Sequence, residues 1–361
     1  MVKSESKDLQ VDCIPASLLT IPMMEAWRGI IASQPSLSSP LFAPEYTQTI
    51  AAALPGVFVA LGKAGDEFVA FLPFERDKSG IGHRLHLCDF QGLIARSDLD
   101  CDVRSFVRRA GLRAWDFDHL LASQQCFAPF HRRIVQSPVI NLAAGYEAYV
   151  AERRAAGTDS IKKSGNLLRR LEREIGPLRF EVQVRDPALL RQLLLWRAAK
   201  YQSRHPFELL EAILLRFLSL QQDGCRGTLS VLYAGDAIVA SHFGLRSRNR
   251  WHYWFPAYNA QFEKYSAGII LLLKIAEIAC TMGIHTIDLG MGEEDYKRRL
   301  MNGSLQIAEG SVQVSSLLSF TRSFRRHAGL VLRRAPVLNS LARRLVGAGE
   351  TTPASAQVLP S

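Results

Sequence analysis

The run from Trp251 to Arg298, WHYWFPAYNAQFEKYSAGIILLLKIAEIACTMGIHTIDLGMGEEDYKR, constrains the chain more than any other stretch. An aromatic strand leads through a polar loop to Tyr265-Ser266-Ala267-Gly268, and a long apolar helix follows. Gly283 stops that helix at a C′ position, and a short strand then ends in Asp288-Leu289-Gly290. Ser266 suits the N-cap. The helix is apolar except for a narrow stripe of Lys274, Glu277 and Thr281, so it must lie flat against a sheet, buried on most sides. The order strand, helix, strand sets an α/β architecture.

The same stretch concentrates the chain's chemistry. A buried helix start with free N–H groups and a glycine at its second position can receive a diphosphate, because the macrodipole favours an anion and no side chain blocks the backbone. A plain, satisfied cap is the simpler alternative. Asp288 falls near the carboxyl end of its strand, where open α/β sheets place ligands. With its pKa raised by burial it could orient or deprotonate an acceptor, although an isolated Asp more often serves a turn or cap. Tyr296 can give a proton to a leaving group, and Lys297 can neutralise developing negative charge or simply face solvent. Trp251, Trp254 and Tyr258 offer flat faces for a sugar or adenine ring, or fill a core. His242, on the preceding strand, is the best imidazole for a general base; lone strand histidines are more often structural. His285 sits at the wrong end of its strand. The chain carries no nucleophile elbow, Walker-type phosphate loop, zinc spacing or dinucleotide fingerprint, so no metal is expected.

The other segments are weighed by how they serve this one. Residues 44–54 read as a short helix; GVFVALGK and EFVAFLPF read as a hairpin closed by Ala64-Gly65-Asp66. HLCDFQGL is expected to be a third strand, residues 102–109 a helix, and RAWDFDHLL a further strand. Residues 146–175 form a strongly basic helix, broken at Gly157 or Gly165, with Arg153, Arg154, Lys162, Lys163, Arg169, Arg170 and Arg173. Its cations are a solvated face or an attraction for a phosphorylated donor or acceptor. FEVQV is a strand, and residues 187–203 and 208–222 are amphipathic helices, the first opened by Pro187. GTLSVLYAGDAIVASHFGLRSRNRWHYWFPAY is three strands in succession. Its turn, Ala234-Gly235-Asp236, repeats the earlier Ala-Gly-Asp, and Val-Ala follows two residues later in both copies. A duplicated α/β unit follows from this, with the basic helix between the copies.

Charge and cysteine content bound the setting. A net charge of +10 favours acidic partners: nucleic acid, anionic lipid or phosphorylated metabolites. Six cysteines without close pairs read as reduced thiols in a cytoplasm-like compartment. The N-terminus lacks a signal-like apolar core, and no apolar run approaches the roughly 20 residues that span a bilayer. The tail, residues 313–361, alternates basic pairs with Leu and Val around Pro336. It is a peripheral helix, or a segment that rests on an anionic membrane surface.

Taken together, three strands, a polar loop, YSAG, a long apolar helix, IDLG and then YK resemble the GNAT-like acyltransferases. The chain is most similar to the cellulose-biosynthesis (CelD-type) branch, which is related to the Fem aminoacyltransferases. The resemblance implies tandem GNAT-like lobes with mixed central sheets flanked by helices: a degenerate front lobe over residues 1–145, an acyl-CoA-binding lobe over 146–312, and the tail. It implies that Tyr265, Ser266 and Gly268 surround the pyrophosphate of acetyl-CoA or another acyl-CoA. Asp288, Tyr296 and Lys297 become active-site residues, with Trp254 and Tyr258 on the acceptor side. The family loop reads Ser-Pro-Gly, and here Ala267 replaces the proline. The implied acceptor is an amino or hydroxyl group on a sugar or polysaccharide precursor. Two alternatives stand beside this reading: an aminoacyl-tRNA-dependent transferase that grips phosphates with residues 153–173, and a non-catalytic module for anionic glycan or membrane. The expected place is the cytoplasm, with the tail at the inner face of the membrane.

Overall fold

Alternation along the strands shows where the core must lie. In β9 (Arg226–Ala234), Leu229, Val231 and Tyr233 enter one apolar cluster, while Leu232 and Ala234 enter a second. Successive strand residues face opposite sides, so a strand this apolar needs cover on both faces. The computed structural model describes residues 9–200 and 206–314 and supplies that cover.

The front half runs β1 (Leu9–Pro15), α1 (Ile21–Ala32), α2 (Pro44–Ala53), β2 (Val57–Ala64), β3 (Glu67–Arg76), β4 (Ile81–His83), β5 (Ile94–Ala95), α3 (Val103–Arg109), β6 (Ala114–Leu121) and β7 (His131–Asn141). Two basic helices, α4 (Tyr146–Ala155) and α5 (Ser160–Glu174), connect it to the back half. There β8 (Leu178–Val184), α6 (Pro187–Lys200) and α7 (Phe207–Ser219) precede β9, β10 (Ala237–Arg246) and β11 (Arg250–Tyr258). Then come α8 (Ala267–Thr281), β12 (Thr286–Asp288), α9 (Asp295–Leu300) and β13 (Gly303–Gln313). The helical connector breaks at Gly157, whose φ is +77°, and not at Gly165, which lies inside α5.

Both Ala-Gly-Asp copies close the equivalent hairpins, β2–β3 and β9–β10, with Ala64 opposite Glu67 and Ala234 opposite Ala237. Gly65 and Gly235 take φ of +60° and +55°, a positive value at the first turn position that costs glycine nothing. The halves then merge into one mixed sheet, ordered β1-β2-β3-β4-β6-β13-β7-β12-β11-β10-β9-β8, with β5 attached to β3. Each half hands its last strand to the other: β13 lies against β6, and β7 pairs antiparallel with both β12 and β13.

One segment departs from the sequence reading. HLCDFQGL is not a strand; only Gln91 forms an isolated bridge, to Leu120. Side chains take the place of a ladder there, since Tyr46 donates to the His86 carbonyl at 2.8 Å and Arg84 to the Cys88 carbonyl at 2.8 Å. Leu87 also has a positive φ of 59°, which breaks an extended run. Conversely β7, in the middle of the sheet, contains Pro138, which argues against a central strand. The Pro138 carbonyl accepts from Leu289 N at 3.0 Å, so its missing N–H faces the side where β12 has ended, and the β13 ladder is untouched.

Candidate active site

β11 and β12 run parallel for only three residue pairs, Arg250–Thr286, Trp251–Ile287 and His252–Asp288. β12 then stops while β11 continues to Tyr258, paired with β10 on its other side. The strands part, and a cavity of about 530 Å³ opens at the fork. That volume lies within the roughly 300–1,000 Å³ of small-molecule sites. Tyr253 and Trp254, neighbours that belong to opposite faces of the sheet, both line it. One cavity reaches both faces because β11 has lost its neighbour there.

The start of α8 forms one wall, through Ser266, Ala267, Gly268 and Ile269. The expected side-chain cap is absent. Ser266 is left-handed (φ 53°, ψ 44°) and makes no capping hydrogen bond. Its carbonyl instead accepts the N–H groups of Ile269 and Ile270 at 2.9 and 3.2 Å. Ala267 and Gly268 N–H have no backbone acceptor among the described residues. They are the unpaired donors of a helix start, held at the cavity wall where an anion is favoured. A Cβ on Gly268 would meet Tyr258 Cδ1 at 3.4 Å, an ordinary contact, so the wall would accept a methyl group while a large side chain would fill the gap beside Tyr258. Tyr265 does not line the cavity. It is buried, and its hydroxyl donates to Glu174 Oε2 at 2.6 Å, pinning the loop to α5. That hydrogen bond and the Arg170 guanidinium hold the Glu174 carboxyl down to about 2.

Trp254, Tyr258, Tyr296 and Lys297 also line the cavity. Tyr258 donates to Glu263 Oε1 at 3.0 Å and accepts from Lys200 Nζ. Lys297 is buried; its Nζ donates to the Met291 carbonyl at 2.8 Å and the Gly290 carbonyl at 3.3 Å, and lies 3.1 Å from Glu294. It therefore braces the turn after β12, with its charge paired to Glu294 in the cavity wall. Asp288 and His242 lie outside the lining. Asp288 is fully buried beneath the fork, and its Oδ1 accepts from Gly290 N at 2.9 Å. Burial pushes its carboxyl up, against the opposing pull of His252. His242 is buried with its ring stacked 4.2 Å from that of Tyr253, and neither nitrogen has a partner. Burial holds it well below the usual imidazole range, so it stays neutral.

Sequence reading missed Tyr253, Leu289, Arg197 and Lys200 in the lining. Tyr253 was legible only if both faces of the strand were counted, which the fork alone justifies. Arg197 and Lys200 end α6, and nothing local shows that α6 lies across β11.

Comparison with known proteins agrees with this arrangement. Residues 161–298, from α5 into α9, match the family model described as an acetyltransferase (GNAT) domain. No curated protein matches the chain. Among solved structures, FemX shares the fold at 10% identity and a TM-score of 0.56, over 81% of this chain and 96% of that one. The C-terminal domain of a protein assigned as a lysylphosphatidylglycerol synthetase, from Agrobacterium fabrum, aligns at 16% identity and a TM-score of 0.53, over 86% and 96%. The protein has a GNAT-like α/β fold, and the domain match together with that fold supports an acyltransferase. Among the described residues no helix is long and apolar enough to cross a membrane. The tail's membrane-surface reading falls on residues outside the described range.

Proposed function

We propose that the protein transfers an acyl group, acetyl being the simplest, from acyl-CoA to an amino or hydroxyl group of a sugar or polysaccharide precursor. The observation that carries the donor half is the fork at β11 and β12, beside the unpaired amides of Ala267 and Gly268. Those amides suit a pyrophosphate. Beyond His252, β11 is not paired with β12, so a thioester can lie along that edge, where any backbone N–H, Pro256 having none, would face charge that develops on its oxygen. Tyr296, half-buried in the wall, is placed to return a proton to a departing thiolate. Lys297, charge-paired with Glu294, holds the turn beside it. Asp288 acts from beneath, through the Gly290 amide. The acceptor side, Trp254 and Tyr258, presents aromatic faces of the kind that stack on sugar rings, in line with the cellulose-biosynthesis resemblance of the sequence.

Acetyl-CoA at about a hundred times its Kd should stabilise the protein by about 2.7 kcal/mol, seen as a raised Tm. The absence of a shift with acetyl-CoA or any longer acyl-CoA sinks the reading. A second reading, transfer from aminoacyl-tRNA, is favoured by one feature, the exposed cations Lys162, Lys163, Arg169, Arg170 and Arg173 on α5. It requires tRNA binding that weakens steeply as salt rises.

A further inference from the structure

The irregular segment 84–93 of the front half sets Asp89 against the floor of the back half's cavity. His252 Nε2 and Asp89 Oδ2 lie 2.9 Å apart. On the other side of the ring, His252 Nδ1 is 3.9 Å from Asp288 Oδ1, beyond hydrogen-bond reach. The His252 and Asp288 side chains are 1% and 0% exposed, and His252 Nδ1 and Asp288 Oδ2 have no partner. Buried polar atoms are seldom left so, and at 3.9 Å, shielded from solvent, the ring and the carboxyl act on each other directly. The turn above them reports to the cavity. A Cβ on Gly290 would sit 3.8 Å from Asp89 Oδ2 and 4.0 Å from His252 Cε1. Asp288 holds the Gly290 amide, Lys297 holds the Gly290 and Met291 carbonyls, and Leu289 and Lys297 line the cavity.

We propose that Asp89 is a positioning residue for acyl transfer: through His252 it fixes Asp288 and the turn 289–291 in working geometry, so the front half is part of the reaction centre. The inference rests on acyl transfer taking place in this cavity. Other groups face the array. Arg84 lies 3.8 Å from Asp89, and His119 Nε2 3.8 Å. Asp118 pairs with both Arg84 and His119, at 3.2 and 2.9 Å. Arg250 and His242 act from the back half. Burial opposes charge on Asp89, yet the His252 hydrogen bond, with His119 and Arg84, holds its carboxyl below the usual range. Asp89 thus carries the negative charge, while buried Asp288 is pushed toward its neutral form.

The test measures thiol release from acetyl-CoA by the full chain, with glucosamine as the probe acceptor, across pH, beside acetyl-CoA-induced Tm shifts. Asp89→Asn should lower kcat on the order of tenfold to a hundredfold, the scale of a small misplacement near the chemistry. KM for acetyl-CoA and the Tm shift should stay as in wild type, and the acid limb of the kcat profile should move. Asp89→Glu should recover part of the loss. Asp98→Asn, which removes a front-half carboxylate paired with Arg96 and outside the array, should leave kcat and the profile unchanged. Wild-type kcat and pH profile in Asp89→Asn would reduce the carboxylate to a strut and overturn the inference while acyl-CoA binding stands. Loss of the Tm shift in Asp89→Asn would also overturn it, since Asp89 would then act on donor binding. If wild type itself shows no acetyl-CoA shift, the transfer reading fails first and takes this one with it.

Discussion

The two halves repeat one order of elements, and the differences between them show what makes a fork into a site. In each, a parallel pair brackets a helix in the chain: β4 with β6 around α3, with β5 intervening, and β11 with β12 around α8. In the front half β4 is three residues long and leaves only His83 beyond its pairing with β6. In the back half β11 runs six residues past His252. The helices differ in the same sense. α3 has seven residues, and the Asp102 carboxylate accepts from Arg104 N at its start, so a negative charge already occupies the place of an anion. α8 has fifteen, and its start keeps the Ala267 and Gly268 amides open. The front half has become a platform whose segment 84–93 reaches the other half's floor.

Breaking that contrast should have graded effects. Gly268→Trp has the largest, since its side chain must enter the gap beside Tyr258; the acetyl-CoA Tm shift should vanish while the ligand-free Tm stays near wild type. If the shift persists, the α8 start is not the donor site. Lys297→Met leaves the Gly290 and Met291 carbonyls without their charged donor and should cost roughly 2–3 kcal/mol in denaturant unfolding. An unchanged midpoint would mean Lys297 is no brace. Asp102→Ala, the front-half counterpart, should cost ~1 kcal/mol and leave the acetyl-CoA shift intact. If the shift falls with it, the front helix contributes to donor binding and the contrast is wrong.

The smallest effect near neutral pH is that of His242. The folded protein keeps it neutral, whereas the unfolded chain takes up a proton near pH ~6.5. The unfolded state binds more protons there, so this group's contribution is present above that pH and lost as pH falls below it. His242→Leu should therefore flatten Tm against pH on the acid side of neutrality. An equally steep curve in the variant would show that His242 is not the titrating group.

The sequence was most legible where structure depends on neighbours in the chain. The Gly-Asp turns, the apolar α8 with its Lys274–Glu277 stripe, the Gly283 stop and the strand ending at Asp288 all follow from local patterning. Ser266, Gly268, Trp254, Tyr258, Tyr296 and Lys297 were placed at one cavity because the chain brings them within one strand–helix–strand unit. His242 and Asp288 show the limit: residue type suggested catalysis, and only burial shows that both lie beneath the lining.

By itself, then, the sequence determined two α/β halves and the strand–helix–strand unit, in which it singled out six of the sixteen described residues that line the cavity. Tertiary structure alone decided that β7 and β13 change places, that α6 brings Arg197 and Lys200 over β11, and that Asp89 meets His252. The physical reason is range. Turn chemistry and the 3.6- and 2-residue periods act over a few residues, whereas a strand's partner is chosen by which edge remains unpaired once the rest of the sheet has formed. Pro138 in β7 reads as a strand breaker, and is harmless only because β12 has ended where its N–H would have been.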